Sequence, residues 1–383
     1  MTWKSNNSRA METLGIIAEY NPFHRGHKYL IEEACRQTGI ETVVSVMSGD
    51  FMQRGFPAAF DKWKRARAAV EGGVDLVVEL PVLYACNSAN WFAMGGVSIL
   101  EGLGVDILAF GSENGKIEEL KKTAEVLRDS DKSIHIDVRK LVKHGMSYPS
   151  ARNKALSERS EFDSSIISEP NNILAVEYIQ RLSSMSAFTV KRVGTEYNEE
   201  ASAMRKKMEE ENPSEFNERQ SIYFKLLASK VMEMSGDQLE DIFAAGNGLG
   251  HKLKAEIRYS SSLEDLIDRV KSKAYTRTRV MRLMSQTILG IDGKAMSESG
   301  IYARVLAMNE NGARFLRTVK GRDENTIPII TNINKETFKF PEIAASLEKD
   351  IFASDMYNLI IGADLYGNSD LVMMPKVVDN RSR

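Results

Sequence analysis

The sequence predicts an α/β fold built on a parallel sheet, followed by a mainly helical second domain. Three observations carry this. Four apolar strand-like runs, Leu14–Ala18, Thr42–Met47, Val74–Leu80 and Val105–Phe110, alternate with stretches of helical periodicity, the pattern of right-handed βαβ units. Segments that follow three of these four runs are rich in Gly and polar residues, as expected where ligands bind beyond the carboxyl ends of parallel strands; after the third comes Pro81. Past Asn212-Pro213 the alternation gives way to apolar residues at helical spacing.

The chain of 383 residues is long enough for two domains. We place them at residues 12–212 and 213–383, after a polar extension, residues 1–11, that is expected to be disordered. The formal net charge is −2, so any nucleic-acid surface has to be a local patch. Cys35 and Cys86 are the two cysteines, and neither has a CxxC neighbour. They are expected to be buried and reduced, which fits a cytoplasmic protein. No apolar run reaches membrane-spanning length, and Met1–Ala10 lacks the apolar core of a signal peptide, so no membrane is expected.

The first strand runs directly into His24-Arg25-Gly26-His27, and helical spacing follows with Leu30, Ile31 and Ala34. At such a corner backbone N–H groups are expected to point outward unpaired, and the helix dipole favours negative charge. Two imidazoles add donors, which suits a nucleotide phosphate. Gly26 lets backbone or phosphate approach closely, and Pro22 stiffens the entry to the turn.

The loops after the later strands, Ser48–Gly55 and Gly111–Gly115, are expected to share a pocket with this corner. Asp61 reads as the N-cap of a helix ending near Glu71. Lys62, Lys64, Arg65 and Arg67 give it a basic face; such a face is usually solvated, though Lys62 or Arg65 is also placed to touch phosphate or RNA. Trp91, Phe92, Met94 and Ile99 mark a core-packing helix between Asn87 and Leu100. Lys116–Leu141 is helical, Tyr148-Pro149 begins another helix, and Phe188–Val193 is a fifth strand. His135 and His144 carry no assigned chemistry.

In the second half, Arg269–Arg282 concentrates positive charge: Arg269, Lys271, Lys273, Arg277, Arg279 and Arg282, with no acidic residue. Cations supply phosphate contacts, and the interleaved Tyr275 suits stacking on an unpaired base. Arg304, Arg314 and Arg317 are candidates to extend this patch. The remainder, with Pro328, Pro341 and Tyr357, reads as packing.

Tyr20-Asn21-Pro22-Phe23-His24-Arg25-Gly26-His27 resembles the HxGH signature of the adenylyl-transferring HIGH superfamily. The longer string GIIAEYNPFHRGH resembles one branch, the bacterial tRNA(Met) cytidine acetate ligases, and the similarity runs from about Glu12 to the C-terminal region. The resemblance implies a Rossmann-like HIGH nucleotidyltransferase domain with His24 and His27 as catalytic residues. It implies ATP contacts from Ile17, Ala18, Glu19, Tyr20, Asn21, Pro22, Phe23, Gly26, Lys28, Tyr29 and Leu30, joined by Gly111. Pro170-Asn171-Asn172 resembles a nucleotide-reading element, which gives Asn171 and Asn172, and Arg192 resembles an ATP-contacting arginine. A second motif, a Ser/Thr-rich helix start followed by a cation, is represented by Ser202 and Arg205 alone, after a loop from Tyr197 that looks shortened.

The string YTRTRVMRL resembles a segment that faces tRNA, so Lys271, Lys273, Tyr275, Arg277, Arg279 and Arg282 are expected to bind RNA. The implied reaction joins acetate to N4 of the wobble cytidine of elongator tRNA(Met) through an acetyl-adenylate, with ATP as substrate. Mg²⁺ is expected to bridge phosphate oxygens, with no dedicated metal ligands on the protein. The sequence leaves two alternatives open. One is a small-molecule adenylyltransferase of the pantetheine-phosphate or nicotinate-nucleotide kind. The other is a catalytically decayed RNA-binding protein, suggested by the Ser202 region. The sequence indicates no protein partner.

Overall fold

A computed structural model describes residues 12–129, 131–144, 146, 150–151, 154–155, 166–192, 194–322 and 327–379. The extension, residues 1–11, and the helix start at Tyr148-Pro149 lie outside the described residues. The first half contributes β1 (Thr13–Ala18), α1 (Arg25–Thr38), β2 (Thr42–Ser48), α2 (Lys62–Glu71), β3 (Leu76–Leu80), α3 (Val82–Ala85), α4 (Ala89–Gly102) and β4 (Ile107–Ser112). It continues with α5 (Ile117–Asp129), α6 (Asp131–Lys143), α7 (Pro170–Ile179), β5 (Ser186–Lys191) and α8 (Gly194–Glu211).

These five strands are parallel and ordered β5-β4-β1-β2-β3. The continuous apolar runs arise because both faces are covered. Leu14 and Ile16 of β1 pack under α1 and α2, while Ile17 points to the opposite core beneath α4. β3 and β4 start two residues later than the hydrophobic pattern suggests, because Asp75 and Asp106 punctuate their beginnings. Asp75 accepts the Val43 N–H at 2.8 Å, and Asp106 accepts the N–H and hydroxyl of Thr13 at 2.8 and 2.9 Å.

The second half is mostly helical: α9 (Pro213–Glu233), α10 (Gly236–Glu240), α11 (Leu249–Glu256), α12 (Leu263–Val270), α13 (Arg277–Leu289) and α14 (Gly293–Ser297). It then returns to the same sheet. β6 (Ala303–Met308) pairs antiparallel with β3, with a bulge at Val77/Val78. After α15 (Glu310–Lys320), β7 (Ile329–Ile330) pairs with β6. α16 (Pro341–Ile360) and β8 (Lys376–Val377) follow, and β8 also pairs with β6. The alternation signal missed these strands because β7 and β8 are only two residues long, and β6 follows a run of helices and joins the sheet antiparallel to β3.

The β3–β6 seam buries an ionic cluster that corrects three expectations. Glu79 lies opposite Arg304 in the ladder. Lys62 Nζ reaches Glu79 at 2.7 Å and Asp370 at 2.6 Å, and Arg304 pairs with the same Asp370 carboxylate. Arg65 donates to the carbonyls of Glu19 (2.7 Å), Ser48 (3.1 Å) and Gly49. Lys62, Arg65 and Arg304 are all buried. None is available to phosphate or RNA: charges this deep are held by their partners. Asp61 does cap α2, accepting the Lys64 N–H at 2.9 Å. Cys86 is buried as expected, whereas Cys35 is only partly so.

Candidate active site

β1 delivers the chain to the sheet's carboxyl end, and Tyr20, in the left-handed backbone region (φ 46°), turns it toward α1. His24 is the N-cap of α1. Its Nδ1 accepts the Gly26 N–H at 3.0 Å, and His27 Nδ1 accepts the His24 N–H at 3.3 Å. These N–H groups are therefore not left for a ligand; the imidazoles consume them. Each neutral ring thereby carries its hydrogen on Nε2. The two rings lie 3.7 Å apart, inclined by 33°. Burial pushes the His27 pKa well below the ordinary range, reinforced by His24 and Arg192, so His27 is neutral.

The corner opens into a cleft of about 2510 Å³. Ile17, Ala18, Glu19, Asn21, Gly26, Tyr29 and Leu30 line it beside the two histidines, as do Gly111, Asn171, Arg192, Ser202 and Arg205. Five of the expected nucleotide contacts do not. Tyr20 is buried and bonded to Ser45 Oγ at 3.0 Å, and it meets the His27 ring edge-on at 4.9 Å. Pro22 is buried, and Phe23 packs on Tyr20 at 5.2 Å. Lys28 is exposed and pairs with Glu32 at 3.7 Å. Asn172 is buried behind the wall.

Glu113 is the residue that the motif reading passed over. Its carboxylate accepts the N–H groups of Asn171 (3.3 Å) and Asn172 (2.9 Å) and the Asn171 side-chain amide (2.5 Å). Asn172 Oδ1 returns a bond to the Glu113 N–H at 3.0 Å. The loop after β4 is thus clamped to the start of α7. The signal was the lone carboxylate in the polar loop Ser112–Gly115. Ser202 sits within α8, so its N–H belongs to the helical ladder, and Tyr197 lies in the same helix with no loop there. Ser202 Oγ and Asn21 O instead receive Arg205, at 3.1 and 2.5 Å. Burial of Glu19 pushes its carboxyl up, against the lowering pull of the Gln53 N–H and of Arg54, Arg65 and Arg205.

The first turns of α13 face the same cleft through Arg277, Arg279 and Arg282. Their surroundings differ. Arg277 pairs with Glu264 at 2.7 Å and Lys271 with Asp268 at 2.6 Å, so the acidic partners come from α12 immediately upstream. Arg279 is spent internally on the carbonyls of Ala244 (3.1 Å), Ala245 and Gly246 (3.2 Å), and Tyr275 donates to Asn247 O. Lys271, Lys273 and Tyr275 lie outside the cleft wall, and the two lysines are exposed. Arg314 and Arg317 stand on α15, which packs against β2, β3 and β6, apart from this patch. Among the described residues no group of three or more His, Cys, Asp or Glu is close enough to hold a metal ion.

Comparison with known proteins agrees with this geometry. The model of the HIGH Nucleotidyl Transferase family matches residues 11–369. The chain belongs to that family. Within it, the chain is 37% identical to a protein of Caldanaerobacter subterraneus subsp. tengcongensis, over 91% of this chain and 95% of that one. It is also 37% identical to one from Caldicellulosiruptor saccharolyticus, over 91% and 94%. Both are named tRNA(Met) cytidine acetate ligase. The crystal structure of Thermotoga maritima TmcAL bound with alpha-thio ATP superposes with a TM-score of 0.87 at 28% identity, covering 97% of this chain and 100% of that one. The resemblance seen in the HxGH string therefore extends over residues 11–369. No helix among the described residues is long and apolar enough to cross a membrane.

Proposed function

We propose that this protein is an ATP-dependent tRNA(Met) cytidine acetate ligase. The observation that carries the reading is that the HxGH corner and the basic first turns of α13 line one cleft. A small-molecule adenylyltransferase needs the corner but not the basic wall. The name of relatives at 37% identity supports tRNA(Met) cytidine and acetate as substrates, and the alpha-thio ATP in the Thermotoga maritima structure supports ATP.

In the first step an acetate oxygen attacks the α-phosphorus, and the bond to the β-phosphate oxygen breaks, releasing pyrophosphate. Charge grows on the departing oxygen. The Nε2–H groups of His24 and His27 and the cations Arg192 and Arg205 are the preorganised donors that stabilise it. Neutral His27 donates without first having to be protonated. Glu113 holds Asn171 in place beside the nucleotide. In the second step N4 of the wobble cytidine attacks the acyl carbon and AMP leaves, giving N4-acetylcytidine. Positioning supplies much of that rate. Among the described residues no group of three or more His, Cys, Asp or Glu could hold a metal ion, so Mg²⁺ would enter with the phosphates of ATP and neutralise part of their charge. A cytoplasmic location belongs to this reading, since that is where tRNA is modified.

Incubation with ATP, labelled acetate and tRNA(Met), followed by nucleoside mass spectrometry, is expected to show label in N4-acetylcytidine. Consumption of ATP with no labelled nucleoside would favour a small-molecule acceptor. No ATP consumption with acetate and tRNA present would leave a decayed RNA-binding protein.

A further inference from the structure

Gly111, Asn171 and Arg192 stand with the histidines on the β1, β4 and β5 side of the cleft. The wall above the ends of β2 and β3 has no part in that scheme. It includes Trp91 on the first turn of α4, Phe243 between α10 and α11, and Arg282 on α13. Trp91 and Phe243 meet edge-to-face, with ring centroids 5.4 Å apart at 82°, and both are only partly buried.

These aromatics come from distant parts of the chain, and a single side chain ties their segments together. Gln286 is fully buried on α13. Its amide donates to Cys86 O at 2.9 Å, on the segment leading to Trp91, and accepts the Ala244 N–H at 2.7 Å, next to Phe243. Arg279 fixes the carbonyls that follow. Arg282, one turn before Gln286, lines the same wall, and no hydrogen bond or ion pair to a described residue occupies its guanidinium. A partly exposed aromatic pair, rigidly braced beside an uncommitted cation, is a wall built for a planar, polar ligand.

We propose that this wall seats the acceptor base: an unpaired cytosine stacks on Trp91 with Phe243 at its edge, while Arg282 donates to the base's N3 and O2. This rests on the reading of an RNA cytidine as acceptor. The guanidinium fork matches two adjacent acceptors. Cytosine presents N3 and O2 side by side, whereas uracil has an N–H at position 3 that opposes the same donors. The exocyclic N4 stays unbonded and faces the acyl-adenylate. There the N4–C bond forms, the C–O bond to AMP breaks, and N4 gives up one proton to solvent as AMP leaves.

The test is filter binding of tRNA(Met) carrying cytidine, uridine or an abasic site at the wobble position. Wild type is expected to prefer cytidine over the abasic site by about tenfold or more. Trp91→Ala erases that preference and Trp91→Phe keeps most of it. Arg282→Gln lowers the cytidine-to-uridine ratio while leaving the preference over the abasic tRNA. Each ratio is taken within one preparation, so loss of folded protein cancels. Equal binding of cytidine and abasic tRNA by wild type, or full preferences in Trp91→Ala and Arg282→Gln, would overturn the seat. Labelled transfer by wild type in the same experiment would show that only the seat, and not the proposed reaction, had failed. No tRNA binding and no transfer would sink both.

Discussion

The His27 imidazole accepts the backbone N–H of His24, and the His24 imidazole accepts that of Gly26, so each ring is held by the helix start it decorates. Capping uses Nδ1, so the hydrogen of each neutral ring lies on Nε2. The two jobs separate by substitution. Asn supplies an acceptor near the position of Nδ1 but nothing at Nε2, and Ala supplies neither. His24→Asn is expected to keep wild-type stability within about 0.5 kcal/mol, and His24→Ala to lose about 1 kcal/mol by urea denaturation. Both are expected to lose about 100-fold or more in acetate-dependent ATP–pyrophosphate exchange. Exchange retained by His24→Asn would show that Nε2 is not the donor.

His27 makes stability depend on pH in a stated direction. Burial, His24 and Arg192 hold its folded-state pKa well below the usual value of about 6.5. The unfolded chain therefore takes up the proton first. The stability contributed by neutral His27 is complete above about pH 6.5 and falls as the pH drops below it. Urea midpoints measured from pH 8 to pH 5 are expected to decline less in His27→Gln than in wild type below that point. Parallel curves would mean that His27 titrates normally.

The parts of this molecule legible in the sequence were those written by local periodicity. The five parallel strands alternate with helices, and the corner at His24 follows from a buried strand meeting a helix. What remained hidden depends on partners far along the chain. Arg304 reads as one more cation of a basic patch until β6 is laid beside β3 and places it opposite Glu79. Arg279 reads as an RNA contact until the turn at Ala244–Gly246 closes around it. Pro170-Asn171-Asn172 stands out as a motif, whereas Glu113, which clamps it, is only a weak signal, because carboxylates in polar loops are common. Ser202 was misplaced because a helix start and a helix interior share the same residue types when no cap marks the boundary.

The ionic cluster at the β3–β6 seam ties the last described segment of the chain to the first half. Asp370 is fully buried and serves Lys62 and Arg304 together. Asp370→Ala would leave Arg304 with Glu79 at 3.5 Å, and Lys62 with Glu79 and the more distant Asp50 at 3.9 Å, all of them buried. The expected loss is about 3–5 kcal/mol, seen as a lowered urea midpoint. A loss under 1 kcal/mol would show that water enters the seam and solvates the two cations.

Arg277 and Arg279, two residues apart on α13, are expected to part company when each is replaced by Ala. Arg277 is exposed, and its one ion pair is with Glu264. Its removal costs little stability, because an exposed pair contributes little. If its charge meets a phosphate of bound tRNA, the plot of log affinity against log salt becomes shallower by roughly one unit. Arg279 is half-buried and satisfies the carbonyls of Ala244, Ala245 and Gly246. Arg279→Ala leaves those acceptors without their donor and frees the segment carrying Phe243. It is expected to lower stability by about 1–3 kcal/mol. The salt slope measures counterions released at phosphates, so Arg279→Ala should weaken tRNA binding without changing that slope. The same change in slope for both variants would place Arg279 on the RNA backbone after all, and would require the Ala244–Gly246 turn to open when tRNA binds.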